Sequence, residues 1–342
     1  MRPYIIILLL LTFSNAHAQT LGGNSAFNFL KLPYATALTA AGGVNISHAS
    51  TDVSVALNNP AFLNSALHTQ VGLNFTGLVA DVKGYQFASA YFDEKLNTTF
   101  GSQVVFVNYG QIQAADAAGN LLGQFRANDY SVQVSAGRPY LEKWHYGASL
   151  KFLHSSYQPY QSSAIAVDVG INYFDSTKGI SLSALAKNMG TQLKTYAGEN
   201  EDLPFDLEFG LTKKLAHAPF AFSLTLQQVH RFNLLYNDTS FSSETNTSTS
   251  TSFLNKATQH VVLATHVFIS KQLEATVGYN HLRRSELSLG TTGNGLAGFS
   301  IGFAAHFEKL QVSYARSAYE RGISYNQLGL NLQLNKLFGG TF

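Results

Sequence analysis

The sequence lacks cysteine, carries little charge and contains no long apolar run. With no Cys among its 342 residues, disulfides and thiolate metal sites are excluded. Charged residues make up 12% of the chain, about half the ~25% that is usual in soluble domains. Beyond the N-terminus, no segment offers the ~18 consecutive apolar residues of a transmembrane helix. This composition fits a membrane β-barrel, whose strands present apolar side chains to lipid only at alternate positions. The net charge of +2 gives no indication of nucleic-acid binding.

The N-terminus has the features of a secretory signal peptide over residues 1–18. Arg2 supplies the positive charge, residues 4–13 form a short apolar core, and Ala16-His17-Ala18 fits an A-x-A cleavage site. The mature chain is therefore expected to start at Gln19. Export agrees with the absence of cysteine, because a sheet that is closed by strand pairing needs no disulfide.

Residues 19–66 form a separate N-terminal segment. Most residues between 34 and 64 are small, and Asp52 is the single acid among them. We expect the segment to lie at or inside the mouth of a barrel, like a small plug, because glycine allows close backbone approach. Asp52 would then need hydrogen-bond donors, since a buried carboxylate without partners is costly. The candidate residues of this segment are Gly42, Gly43, Asp52, Asn59 and Pro60.

Residues 67–342 alternate apolar and polar side chains with a period of two, which predicts an all-β, transmembrane, antiparallel outer-membrane β-barrel. We count about fourteen strands, an even number as bacterial barrels require. Connections from even to odd strands are short and the others are mostly longer, which is the pattern of periplasmic turns and outer loops. Both mature termini are therefore expected to face the periplasm. The predicted outer loops are 112–127, 155–163, 190–204, 231–257, 282–297 and 317–324.

No motif predicts catalysis, a cofactor or a metal. The eleven His are scattered, and His260 and His266 share a strand face but stand roughly 20 Å apart along it. A metal site needs three or four converging ligands. Lys151 and Asp168 are predicted on the inner faces of adjacent strands, where they could guide a charged solute or tie the wall together. We favour the structural role, because opposite charges across strands stabilise a sheet by about 0.2–1 kcal/mol.

Two stretches resemble the opening of the PorV/PorQ family of type IX secretion system outer-membrane proteins. They are 22–43 (GGNSAFNFLKLPYATALTAAGG) and 52–64 (DVSVALNNPAFLN). The shared pattern is F-x-F-L-x-L-P, then a Gly pair, an Asp and N-P-A-x-L. The family is itself similar to the fatty acid transporter FadL, which shares the Asn-Pro-Ala turn. Such openings often carry an Arg after the Leu-Pro stretch, and residues 34–37 contain none.

The resemblance implies a non-enzymatic barrel that anchors a surface partner of the attachment complex. In this family PorV-like members carry cargo and the PorU sortase, whereas PorQ-like members hold PorZ. The motif at 27–33 favours the PorQ-like branch, so a PorZ-like protein or PorU/PorV-like proteins are the expected partners beside outer-membrane lipid. The alternative is a FadL-like conduit for hydrophobic small molecules. Inner faces rich in Ser, Gly, Asn and Gln argue against that alternative, and no Ser/His/acid set indicates an enzyme.

Overall fold

The computed structural model describes residues 25–116, 118–232, 234, 253–286, 295–320 and 323–339. The predicted signal peptide, residues 1–18, and the expected mature start at Gln19 lie outside them. Among the described residues no helix has the length and hydropathy to cross a membrane.

Fourteen antiparallel strands close into a single barrel, in which every strand pairs with its neighbours in the chain and β14 returns to pair with β1. The predicted fold class is confirmed, including the number of strands. The strands are β1 Gln70–Gly77, β2 Lys83–Asp93, β3 Thr98–Ala115, β4 Leu121–Tyr140, β5 Trp144–Tyr157, β6 Tyr160–Asp175, β7 Ile180–Lys194, β8 Asp206–Lys214, β9 Phe220–Leu226, β10 Val261–Phe268, β11 Leu273–Asn280, β12 Phe299–His306, β13 Leu310–Glu320 and β14 Ile323–Gln333.

The helices are short and lie before, between and after the strands. The 3-10 helices are Asn28–Lys31, Pro60–Phe62 and Ser65–Leu67, and the α-helices are Thr36–Ala40, Val53–Ala56, Phe253–Gln259, His281–Glu286 and Leu334–Phe338.

The wall of the barrel is much taller on one side than on the other. Strands β3 to β7 have 14 to 20 residues, whereas β8 to β12 have 7 to 9. A transmembrane strand needs about 9–11 residues, so β3 to β7 continue beyond the membrane. They do so at the end of the barrel that we predict to face outward and call the outer end, and the end with the short turns is the predicted periplasmic end.

Three segments predicted as outer loops are in fact largely strand ladder. Pairing of β3 with β4 continues to Ala115 and Leu121, pairing of β5 with β6 continues to Tyr157 and Tyr160, and pairing of β13 with β14 continues to Glu320 and Ile323. The loop predictions 112–127, 155–163 and 317–324 are therefore wrong for most of their described length. At the first tip, Asp116 Oδ1 accepts hydrogen bonds from the main-chain N–H groups at 118 and 120, so the turn needs only the few residues around this side chain.

Residues 25–69, hereafter the plug, run through the bore. Phe27 and Phe29 pack in the tall outer half against Val107 of β3 and Leu153 of β5. Ser25 forms a bridge to Asp202 in the outer connection between β7 and β8. The described chain therefore begins at the tall end of the barrel, and the mature N-terminus predicted at Gln19 lies outside the described residues. Burial of the two phenylalanines against the tall wall explains this placement, because each buries a large apolar surface.

Side chains alternate along β5 between the bore and lipid, which provides a test of the register. Ser149 and Lys151 are buried, and Leu150 between them is 53% exposed on the outer face. Leu150 lies near the middle of the membrane-spanning part of the strand. We expect Leu150→Arg to lower the free energy of unfolding by about 2–4 kcal/mol, the cost of an Arg at the bilayer midplane.

The control for this substitution is Leu121→Arg at the tip of β4, which is 72% exposed but lies above the membrane. It should change the free energy of unfolding by no more than about 0.5 kcal/mol, as an ordinary surface substitution does. Urea unfolding of the protein refolded into lipid vesicles measures both. Equal losses for the two variants would contradict the placement of the membrane.

Candidate functional site

Side-chain amides of the wall donate hydrogen bonds to main-chain carbonyls of the plug. The plug helices have only three to five residues, too few to satisfy their own terminal carbonyls. The inner amide side chains therefore satisfy the main-chain carbonyls of the plug, and their polarity does not indicate a polar channel. The wall-to-plug amide bonds are Gln133 Nε2 to Leu57 O (2.9 Å), Asn280 Nδ2 to Gly42 O (3.1 Å), Asn331 Nδ2 to Thr51 O (3.2 Å) and Gln327 Nε2 to Pro33 O (2.6 Å).

The Asn59-Pro60 turn fits against a patch of glycines in the wall. Asn59 Oδ1 accepts a hydrogen bond from Ala61 N at 3.1 Å, and its Nδ2 donates to Ile46 O at 3.0 Å. Any Cβ on the facing positions of β4, β5 and β6 would overlap the Pro60 carbonyl or the Asn59 side chain. The turn is thus docked by close backbone approach. The facing residues are Gly137, Gly147 and Gly170.

Gly42 and Gly43 end the plug helix Thr36–Ala40 in a backbone conformation that other residues rarely adopt. Their φ angles are +88° and +94°, and Gly43 N donates to Leu38 O at 2.8 Å. Gly278 of β11 stands directly behind the pair, where a Cβ would overlap Gly42 N. The pair therefore closes the helix and lies against the wall inside the bore.

Asp52 caps the next plug helix, Val53–Ala56. It is 3% exposed, and its Oδ1 accepts a hydrogen bond from Ser54 N at 2.8 Å. Burial raises the pKa of Asp52, and the Ser54 N–H acts in the opposite direction by stabilising the charged form. The main-chain N–H of Ser54 is therefore a hydrogen-bond donor of the kind that the sequence analysis expected for a buried Asp52.

Lys151 and Asp168 form a buried ion pair in the bore, with Lys151 Nζ 2.6 Å from Asp168 Oδ2. The β6–β7 ladder shifts register between Val167 and Val169. At this bulge Asn188 N donates to Asp168 Oδ1 at 2.8 Å, and Lys151 Nζ donates to Asn188 Oδ1 at 2.9 Å. A bulge leaves a main-chain N–H without a ladder partner. Asp168 accepts the hydrogen bond of this N–H group, so the ion pair has a structural role at the bulge.

A second, partly buried lysine connects the wall to the plug. Lys187 Nζ lies 3.6 Å from Glu208 Oε1 on β8 and donates to Asn58 Oδ1 of the plug at 3.1 Å. Asp206, the partner of Lys187 in the β7–β8 ladder, accepts a hydrogen bond from Gln228 N at 2.6 Å.

A cavity of about 750 Å³ lies between the plug and the short side of the wall. Plug residues 47–51 border it on one side, and strands β10 to β13 on the other. Residues of the periplasmic turns, such as Ser270 and Phe307, line its rim, so it lies at the periplasmic end of the bore. Its lining mixes apolar side chains, among them Phe268 and Leu273, with polar ones.

Four ionisable side chains meet at this cavity, and we call them the His/Glu cluster: His48 of the plug, His266 of β10, Glu274 of β11 and His306 of β12. The rings of His48 and His266 stack with centroids 3.7 Å apart and planes 7° from parallel. Burial and the neighbouring His266 lower the pKa of His48 to about 3, so its imidazole is neutral.

The sequence analysis placed His260 and His266 on one strand face but too far apart to share a site, and the structure keeps them apart. His260 Nδ1 lies 2.9 Å from Gln227 O at the outer end of β10, whereas His266 lies at the periplasmic end. The partners of His266 come from other strands and from the plug, so no local spacing in the sequence reveals them.

The chain is similar to solved structures of outer-membrane channels. No family model and no curated protein matches it. The toluene transporter TodX of P. putida superposes with a TM-score of 0.52 and 11% identity, covering 88% of this chain and 97% of that one. The monoaromatic hydrocarbon channel CymD gives 0.50 and 12%, covering 90% and 97%. A Pseudomonas aeruginosa FadL homologue gives 0.47 and 11%, covering 87% and 98%.

The chain has the barrel fold of TodX and CymD. At this identity the likeness extends to the fold alone. The assignment to the PorV/PorQ family stays a prediction.

Proposed function

We propose that this protein is a gated, non-enzymatic conduit for hydrophobic small molecules across the outer membrane. The observation that carries the proposal is the partly apolar cavity beside the plug at the periplasmic end of the bore. Its volume, about 750 Å³, falls within the ~300–1,000 Å³ of small-molecule sites. The channel fold supports the same reading, since TodX and CymD are described as a toluene transporter and a monoaromatic hydrocarbon channel.

The polar inner face no longer argues against this function. Its amides are bonded to the plug, so a molecule in the cavity meets a surface shared by plug and wall. The plug segment at 44–51 forms no helix, and Ser47 Oγ contacts Thr212 Oγ1 of β8 at 2.8 Å. Without a helix of its own, this segment is the part of the plug that a passing molecule displaces at least cost, by breaking side-chain contacts and no helical hydrogen bonds.

A second candidate function, anchoring a surface partner of the type IX attachment complex, has one specific observation in its favour. Leu121 and Leu122 are 72% and 68% exposed at the tip of the β3–β4 hairpin, above the membrane. Adjacent large apolar side chains exposed to water can mark a protein contact. A PorZ-like protein, or a PorU- or PorV-like one, is the partner class that this function would require.

One set of variants separates the two functions. Ala304 of β12 lines the cavity, and Ala304→Trp should reduce uptake of toluene into proteoliposomes to the level of protein-free vesicles. Ala148→Trp, on the lipid face of β5, is the matched control and should leave uptake unchanged. Uptake that is unaffected by Ala304→Trp, or absent in the unmodified protein, would contradict the conduit.

The hairpin variant Leu121→Ser/Leu122→Ser tests the anchor in cells. If the protein is an anchor, this variant should release one or more surface proteins into the medium without changing toluene uptake. Retention of every surface protein by this variant and by cells lacking the protein altogether would remove the anchor from consideration.

A further inference from the structure

We propose that the His/Glu cluster binds a divalent transition-metal ion of the Zn²⁺ class and thereby ties the plug to the barrel wall. Ligand atoms of His48, His266 and Glu274 all lie within 4.8 Å of one another. His48 Nε2 is 3.7 Å and His266 Nδ1 is 3.3 Å from the same Glu274 Oε1. Tetrahedral Zn²⁺ with bonds of about 2.0–2.2 Å separates its ligand atoms by roughly 3.3–3.6 Å, so the spacing of these atoms is close to that of a zinc site. Because an imidazole lone pair lies in the ring plane, the stacked rings of His48 and His266 have to tilt apart when both bind one ion.

A hydrogen bond on His266 supports the arrangement. The second ring nitrogen of His266, Nε2, lies 3.3 Å from Ser223 Oγ. A hydrogen bond on the distal nitrogen fixes the tautomer and orientation of a metal-binding imidazole. Two imidazoles and one carboxylate form a donor set that suits Zn²⁺ and its neighbours in the first transition row. His306 Nε2 lies 3.8 Å from Oε2, the other carboxylate oxygen of Glu274, beside this group of three ligands.

The His/Glu cluster lies where an ion can enter from the periplasmic cavity and where a bound ion would join the plug to the wall. All four residues line the periplasmic cavity, so an ion can reach them from the periplasm. His48 belongs to the irregular plug segment next to Ser47, whereas His266 and Glu274 belong to β10 and β11. A bound ion therefore cross-links plug and wall and adds to the contact of Ser47 Oγ with Thr212 Oγ1.

The test uses the full mature chain in detergent, stripped with a chelator and then dialysed against Zn²⁺. We expect a single Zn²⁺ per chain by elemental analysis and the visible absorption of tetrahedral Co²⁺ when Co²⁺ replaces it. His48→Gln and Glu274→Gln should each weaken Zn²⁺ binding by roughly tenfold or more, at least as much as loss of an outer-sphere partner does. His281→Gln, the same substitution in the outer helix His281–Glu286, should have no effect.

The thermal unfolding midpoint provides a second measurement. Because an ion that binds only the folded state stabilises it, Zn²⁺ should raise the midpoint of the unmodified protein and leave that of His48→Gln unchanged. If His48→Gln fails to fold, Glu274→Gln takes its place, since Glu274 is the ligand shared by both imidazoles and its side chain is 18% exposed. A protein that takes up no Zn²⁺, or variants that bind it as tightly as the unmodified chain, would mean that the cluster is joined only by hydrogen bonds.

Discussion

A chain that lacks plug residues 25–64 is expected to form an open pore, whereas the complete chain stays closed. Eight-stranded barrels are filled by their own side chains, and barrels of about 16–18 strands leave an aqueous channel. With fourteen strands and inner residues such as Ser149, Gln133 and Gly147, the wall by itself cannot fill the bore. The plug closes it, so its removal should give steady ion conductance in planar bilayers.

The control for this deletion removes residues 116–120, the turn above the membrane, and should leave the bore closed. The variant that lacks the plug is expected to stay folded, because the wall amides released from the plug can form hydrogen bonds with water in the bore. Heat-modifiable migration on gels checks this point. A folded barrel that lacks the plug and still does not conduct would show that something other than the plug closes the bore.

The second large effect is expected from Lys151→Met, which leaves Asp168 buried without its ion partner. Asp168 is 1% exposed and Lys151 7%, so water cannot replace the lost ammonium. Removing one member of a buried pair typically costs about 3–5 kcal/mol. We expect the free energy of unfolding to fall by this amount, measured from urea unfolding in detergent micelles.

Lys143→Met is the matched control, because Lys143 Nζ also lies close to a carboxylate, 2.8 Å from Asp175 Oδ2, but its side chain is 43% exposed. It should cost far less, since Asp175 keeps the hydrogen bonds that its Oδ1 accepts from Thr177 N, Thr177 Oγ1 and Lys178 N. Lys151→Met/Asp168→Asn should recover part of the loss by removing the stranded charge. A Lys151→Met variant as stable as Lys143→Met would mean that the pair does not hold the bulge at Asn188.

Much of the barrel was predictable from residues 67–342, because a strand with one lipid-facing side has an apolar residue at every second position. The number of strands, the inward direction of Lys151 and Asp168, and the short periplasmic turns all follow from that local pattern. The height of the wall was not predictable in the same way. Beyond the membrane both faces of a hairpin meet water, so alternation fades although pairing continues, as it does around Asp116.

For the candidate site, too, the local sequence predicted which segment lies in the bore but not which residues it contacts. The small residues of 34–64 and the isolated Asp52 indicated a segment that packs inside a barrel, since local composition limits what a segment can bury. The sequence alone thus determined a fourteen-strand membrane barrel with a close-packed N-terminal segment.

Only the tertiary structure decided what that segment touches. Closure of the sheet brings His266, Glu274 and His306 together from three strands and sets His48 of the plug against them. It also turns polar wall residues such as Gln133 into partners of the plug backbone. Contacts across a bore depend on strand register and on the path of the plug, and neither leaves a fixed spacing between residues that lie so far apart in the chain.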